Sequence, residues 1–422
     1  MKMGTERSKE LYAEACKSTP SGVSSPVRAF DPYPIFADSG RGCMIKDVDG
    51  NEYVDLCMAY GPLILGHCSL PVQMAVRKQI LKGTVFGTPS EPELKLLKRI
   101  CSDVPCADMV RLTNSGTEAT MHAVRLARGF TGKNGILKID GGFHGSHNDV
   151  LVNGTGGVAR TWSAGVPDGT TSNTKCIPYN DTDALTSILE RDKGIAALLM
   201  EPIPGNMGVV LPWKGYLDEV RKITEENDVL LIFDEVITGY RVAKGGAQEL
   251  YGVKPDMCTM GKIIGGGYPA GALVGRKDIM MSLAPSGNVY EAGTFSGNPI
   301  SAAAGLATID EMLPCRYKKL AKKTKAIQKA MKDSMEDRRV IGTVNQAPSM
   351  FQVFFGKRTV SDAMDARDSD GKRFEELFRF MLDKGFYLPP SKMEVNFIST
   401  AHNNAVTDRF CELFDEFLKV MG

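Results

Sequence analysis

The run Val229-Leu230-Leu231-Ile232-Phe233 is unbroken by any polar residue and ends in Asp234-Glu235. Such a run suits a strand buried on both faces, because a half-exposed strand would alternate apolar with polar. A sheet covered on both faces needs helices above and below it. The surrounding sequence supplies them: from about residue 66 to 313, apolar runs alternate with helical patterns. Ile195–Met200 is a second unbroken run, ending at Glu201-Pro202, and residues 216–227 carry the periodicity of an amphipathic crossover helix. Residues 109–112 read as a short strand and 118–128 as a helix. The expectation is an α/β fold around a mainly parallel sheet.

Beyond Pro314 the texture changes. Residues 318–338 read as a long basic helix, and 351–355, 386–388 and 395–399 as strands between helices. Near the other end, residues 44–56 read as a hairpin turning at Asp49-Gly50-Asn51. The expected organisation is a large domain over 66–314, a small α+β domain over 315–422, and an N-terminal segment, 1–65, packed with the small domain.

The chain has 422 residues, 24% of them charged, with a formal net charge of +1. That balance gives no footprint for nucleic acid or an anionic membrane surface. No apolar stretch reaches the length of a membrane span, and the polar N-terminus lacks a signal-peptide core. The ten cysteines form no Cys-x-x-Cys pair, which reads as reduced thiols and a cytoplasmic location. The five histidines show no zinc-type spacing, so no metal is expected.

The chemistry begins at Lys262, in Gly261-Lys262-Ile263-Ile264-Gly265-Gly266-Gly267, which follows a short apolar run. A lysine amine can form an imine with an aldehyde cofactor. An acid such as Asp234 can keep a pyridine nitrogen protonated, so that the ring accepts electrons. A lysine alone is usually a solvated surface residue; an acid-ended buried strand followed by a lysine in a glycine-rich turn is the layout of a pyridoxal 5'-phosphate (PLP) site. Thr113-Asn114-Ser115-Gly116-Thr117-Glu118 follows a strand and opens a helix, where backbone N–H groups and hydroxyls form an anion site. Alone it would be ordinary helix capping. Phe143, in Gly142-Phe143-His144-Gly145, has the shape to stack on a flat ring or simply to plug a core. Thr294 either adds a hydroxyl to a phosphate or merely precedes a helix starting at Asn298-Pro299.

These motifs, in this order, resemble the class III aminotransferase group of PLP enzymes. Ser24-Ser25-Pro26-Val27-Arg28-Ala29-Phe30, Glu201-Pro202-Ile203-Pro204-Gly205-Asn206 and Gly239-Tyr240-Arg241 are similar, more narrowly, to its glutamate-1-semialdehyde aminomutase branch. The resemblance implies the type I PLP fold, with a mainly parallel seven-stranded sheet. It implies Lys262 as the cofactor lysine and Asp234 as partner of the ring nitrogen. Phe143 and Val236 flank the ring, with His144 and Asn206 beside the cofactor, and Ser115, Gly116 and Thr117 bind phosphate. Thr294 is donated by the other subunit of a homodimer. Ser25 and Arg28 anchor the substrate carboxylate; Tyr60 and Glu394 line its pocket. Residues 153–174 form a lid.

Three positions depart from the family pattern. Phe143 stands where Tyr is frequent, Tyr60 where a Trp usually precedes Gly-Pro, and Asn396 where a glycine is usual. The implied activity is intramolecular amine transfer, converting glutamate 1-semialdehyde to 5-aminolevulinate for tetrapyrroles, with the pyridoxamine form of the cofactor in the cycle. A contact with the reductase that makes the aldehyde is a further expectation. Alternatives are an intermolecular ω-aminotransferase, a PLP racemase, or a non-catalytic scaffold.

Overall fold

The structure is a computed structural model that describes residues 4–154 and 160–421. The chain divides into two compact units: Leu70–Lys318 with Ser361–Met364, and Met1–Ser69 with Lys319–Val360 and Asp365–Gly422.

The larger unit is built on seven strands. In chain order they are β1 (Met109–Thr113), β2 (Gly135–Ile139), β3 (Thr174–Ile177), β4 (Ile195–Met200), β5 (Leu230–Glu235), β6 (Met257–Gly261) and β7 (Gly271–Gly275). Their spatial order is β1-β7-β6-β5-β4-β2-β3. All neighbours run parallel except β7, which is antiparallel to both β6 and β1. β5 is therefore central, and every residue of it is buried. The sheet is the mainly parallel, seven-stranded one expected.

Helix α1 (Gly116–Thr131) leaves β1 through the Asn114-Ser115 turn and covers the sheet. Ala123, Val124, Leu126 and Ala127 pack with Ile136, Ala197, Leu199, Leu230, Ile232, Met257 and Leu273 in one apolar core. At about 25 cal/mol per Å² of apolar surface removed from water, such burial is the main force holding helix to sheet. Alternation along β5 separates its two terminal acids. Asp234 faces His144, whereas Glu235 accepts from Ala247 N at 2.6 Å, Gln248 Nε2 at 3.0 Å and Thr238 Oγ1 at 2.8 Å. Glu235 thus holds the turn into the Gly246–Tyr251 helix.

Several boundaries differ from the sequence reading by a few residues, and two segments differ in kind. Thr174 is buried in β3, and the candidate lid over 153–174 is not a plain loop: Asn153 pairs with Arg160 in a two-stranded ribbon and Asp168–Asn173 is a helix, while residues 155–159 lie outside the described residues. The strand expected over 395–399 is only Asn396–Phe397; its partner strand begins at Met350, after Ser349 in left-handed backbone at φ of 68°.

The second unit carries two sheets. Ala37–Arg41, Met44–Asp47, Glu52–Asp55 and Phe386–Tyr387 form one; Gly342–Ala347, Met350–Phe355 and Asn396–Phe397 form the other. Phe386–Tyr387 adds in parallel to the N-terminal hairpin, with Leu56 N donating to Tyr387 O at 2.9 Å. Among the described residues, no helix is long and apolar enough to cross a membrane.

Candidate active site

The candidate site of the larger unit lies at the carboxyl ends of β5 and β6, where a parallel sheet leaves a crevice. Asp234 is 4% exposed and has three partners. His144 Nδ1 lies 2.7 Å from Oδ2; Val236 N and Thr259 Oγ1 donate to Oδ1 at 3.0 and 3.2 Å. Thr259 stands in register with Asp234 on the adjoining strand, so the pairing of β5 with β6 delivers that hydroxyl. His144 is also buried, and its Nε2 has no hydrogen-bond partner among the described residues. Its carbonyl accepts from Thr120 Oγ1 at 2.5 Å, tying the Phe143-His144-Gly145 turn to α1.

Lys262 follows β6 directly, is half-buried, and has a left-handed backbone with φ of 49°. It opens the Lys262–Gly265 turn. The step before it, Gly261, packs close to Val236: a Cβ there would lie 3.2 Å from Val236 Cγ1. Val236 also fills the space against Gly116, where a Cβ would approach to 2.8 Å of Cγ2. Val236 therefore joins the lysine turn to the start of α1.

At that helix start, Ser115 caps α1 by accepting from Glu118 N at 3.2 Å. The helix itself supplies no acceptor for the N–H groups of Gly116 and Thr117, and its dipole makes their end positive. Gly145 comes so close that a Cβ would lie 2.6 Å from Thr117 Oγ1. Phe143 is 40% exposed and meets Trp162 edge-on, with ring centroids 6.1 Å apart at 89°.

Behind Asp234 stands Glu201, buried at the end of β4. It accepts from Gly205 N at 2.8 Å and from Asn206 Nδ2 at 3.1 Å. Burial pushes its carboxyl above the ordinary range, the Asp234 charge adds to this, and His144 opposes it. His144 engages Asp234 directly, at 2.7 Å, and not Glu201.

The larger unit thus brings together Ser115, Gly116, Thr117, Phe143, His144, Asp234, Val236 and Lys262, with Asn206 held by Glu201. Thr294 is exposed. In the other unit, Tyr60 Oη donates to the carbonyl of Val27, next to Arg28. Burial raises the Tyr60 phenol, and Cys57, Tyr387 and Glu394 raise it further. Arg28 is exposed and Ser25 half-buried. Asn396 is buried with its amide on Gln352 Oε1 at 3.1 Å, which turns it into the sheet. Sequence reasoning missed Thr259 and Trp162. A hydroxyl opposite Asp234 is visible only once strand pairing is known, and nothing local marks Trp162.

These features suit a phosphorylated heteroaromatic aldehyde: a lysine, a buried acid, a glycine start of a 16-residue helix and an exposed ring face. Fold and site are those of an α/β enzyme of the PLP-dependent kind. The chain belongs to the class III aminotransferases, matching Aminotransferase class-III over residues 27–420. It is 46% identical over 420 residues to glutamate-1-semialdehyde 2,1-aminomutase of Methanocaldococcus jannaschii, covering 99% of each chain. It is 49% identical over 415 residues to the enzyme of that name from Methanobrevibacter smithii, covering 98% of each. Among solved structures, an omega-transaminase from Sphaerobacter thermophilus superposes with a TM-score of 0.93 at 31% identity, over 98% of this chain and 97% of that one.

Gly116→Ala tests the cradle. Its Cβ would stand 2.8 Å from Val236 Cγ2, so Val236 or the helix start must shift. The expected result is a folded protein whose PLP affinity falls at least tenfold, about 1.4 kcal/mol. Titration of apoprotein followed by visible absorbance, beside a thermal melt, measures both. Unchanged affinity would remove Gly116 from the phosphate site.

Proposed function

We propose that this chain catalyses the intramolecular amine transfer converting glutamate 1-semialdehyde to 5-aminolevulinate in tetrapyrrole (porphyrin) biosynthesis, with PLP as cofactor. The observation that carries this reading is identity of 46 and 49% over essentially the whole chain to relatives bearing the aminomutase name. The bound cofactor supplies a carbonyl or amine that exchanges with the substrate and a ring that takes up electrons.

The chain's own residues do the rest. Lys262 holds the cofactor covalently and carries protons to and from the reacting carbon. Asp234 holds a proton on the ring nitrogen, its own oxygens fixed by His144, Val236 N and Thr259. Ser115, Gly116 and Thr117 bind the phosphate, while Phe143 and Val236 bracket the ring and His144 and Asn206 buttress its surroundings. Arg28, with Ser25, anchors the substrate carboxylate, a task suited to a planar guanidinium. Tyr60 and Glu394 line the substrate pocket.

The same reading makes the protein a cytoplasmic homodimer in which Thr294 reaches the phosphate of the partner copy. The exposure of Thr294 and the ten free thiols support it. A contact with the reductase that makes the aldehyde would protect a reactive substrate in transit.

The kinship to an omega-transaminase favours a second reading, transfer between two substrates. One assay separates them. Purified enzyme in the pyridoxamine form should convert many equivalents of semialdehyde to 5-aminolevulinate without an amine donor. A stoichiometric requirement for alanine or glutamate would instead establish an ordinary aminotransferase.

A further inference from the structure

Glu118, His122 and Arg125 recur on α1 at spacings of four and three, which places them on one stripe of the helix. His122 and Arg125 reach the segment before Thr294, and Glu118 holds Asn114 beside it. Arg125 Nη1 donates to Tyr290 O at 2.9 Å. His122 Nδ1 lies 3.6 Å from Glu291 Oε2. Glu118 holds the Asn114 amide at 3.0 Å, and that amide nitrogen stands 3.0 Å from where a Cβ on Gly293 would be. From β1, Arg111 adds an ion pair to Glu291 Oε1 and a hydrogen bond to Ala284 O at 3.1 Å.

Glu291 is the centre of this arrangement. Its side chain is 4% exposed, as is fitting for a buried acid with a guanidinium partner. His122 beside it is equally enclosed, and burial lowers the imidazole's pKa while the Glu291 charge opposes that shift. Beyond this buried base the chain faces outward: residues 292–295 are all exposed, Phe295 at 58%, with Thr294 between Gly293 and Phe295. A segment pinned at its root and bare at its tip is built to present the tip to something outside this chain.

We infer that Glu291 is a positioning residue: with Arg111 and the α1 stripe, it fixes the Thr294 segment for the phosphate site of a second copy of this chain. The inference rests on the reading of Thr294 given above. It also means that α1 serves two sites, its first turn binding phosphate in its own copy and its later turns setting the segment lent to the other.

Mixed dimers test this, each with a single Lys262-bearing subunit so that only one site can be labelled. The measurement is borohydride-fixed cofactor on that subunit as PLP is titrated. In the first pairing, Glu291→Gln lies in the Lys262-bearing subunit and the partner is Lys262→Ala alone. In the second, the Lys262-bearing subunit is otherwise intact and the partner carries Lys262→Ala with Glu291→Gln. The expected result is normal affinity in the first pairing and a loss of at least tenfold in the second. A defect confined to the first pairing, or no defect in either, would overturn the inference. A general loss of stability would weaken a subunit's own site and so would not give the expected pattern. If Glu291→Gln does not fold, Arg125→Gln takes its place, with a smaller loss expected in the same pairing and the same overturning outcomes. Thr294→Glu in the second pairing separates the two layers. No effect there overturns the Thr294 reading itself, whereas an effect from Thr294→Glu but none from Glu291→Gln overturns only the role of Glu291.

Discussion

Lys262→Ala should fold normally, lose the visible absorption of lysine-bound PLP, and lose at least a thousandfold in turnover. The fold is expected to survive because alanine keeps the Cβ. The left-handed backbone at φ 49° therefore carries the same strain in both proteins, and Gly261 still packs on Val236. The catalytic loss has two sources. A positioned acid–base group contributes about 10²–10⁴ in rate, and the covalent hold on the cofactor disappears with the same amine. Added together on the barrier, a thousandfold is about 4 kcal/mol. Borohydride reduction of the wild-type holoenzyme followed by peptide mapping should place the label on Lys262. A label on another lysine, or substantial turnover by the variant, would defeat the assignment.

What the sequence disclosed about this site is what local rules govern. Periodicity exposed the buried strand, and its length placed Asp234 and Glu235 at the end of β5. Glycines around Lys262 and after Ser115 marked turns where backbone approaches closely, and the structure fills both of those spaces with Val236. What remained hidden depends on contacts between distant residues. Asp234 and His144 are 90 positions apart, and only the order of the strands sets them together. The reversed direction of β7 has no local cause, since a glycine-flanked apolar run reads the same in either orientation. Side-chain alternation sends Asp234 toward His144 and its neighbour Glu235 into the Gly246–Tyr251 turn. Glu291 carries no local signal; its burial against Arg111, 180 positions away, gives it a task.

Asp234→Ala should damage catalysis far more than cofactor retention. The carboxylate is enclosed, with His144 on one oxygen and Val236 N and Thr259 on the other. That network meets the Ser115–Gly116–Thr117 cradle only at its edges, with Val236 against Gly116 and with Gly145, beside His144, against Thr117, so the grip on phosphate stays largely intact. What goes is the charge that keeps the ring nitrogen protonated, and with it the ring's capacity to accept electrons. The expected loss in kcat is at least a hundredfold, about 2.7 kcal/mol on the barrier. Because Asp234 also anchors His144, a second variant distinguishes position from charge. Asp234→Asn keeps the shape and can still meet His144, Val236 N and Thr259, but it carries no charge. If charge is the function, Asn and Ala should be impaired alike in kcat, with Asn closer to wild type in thermal stability. Near-normal turnover by Asp234→Asn would show that Asp234 organises the pocket and does not govern the ring.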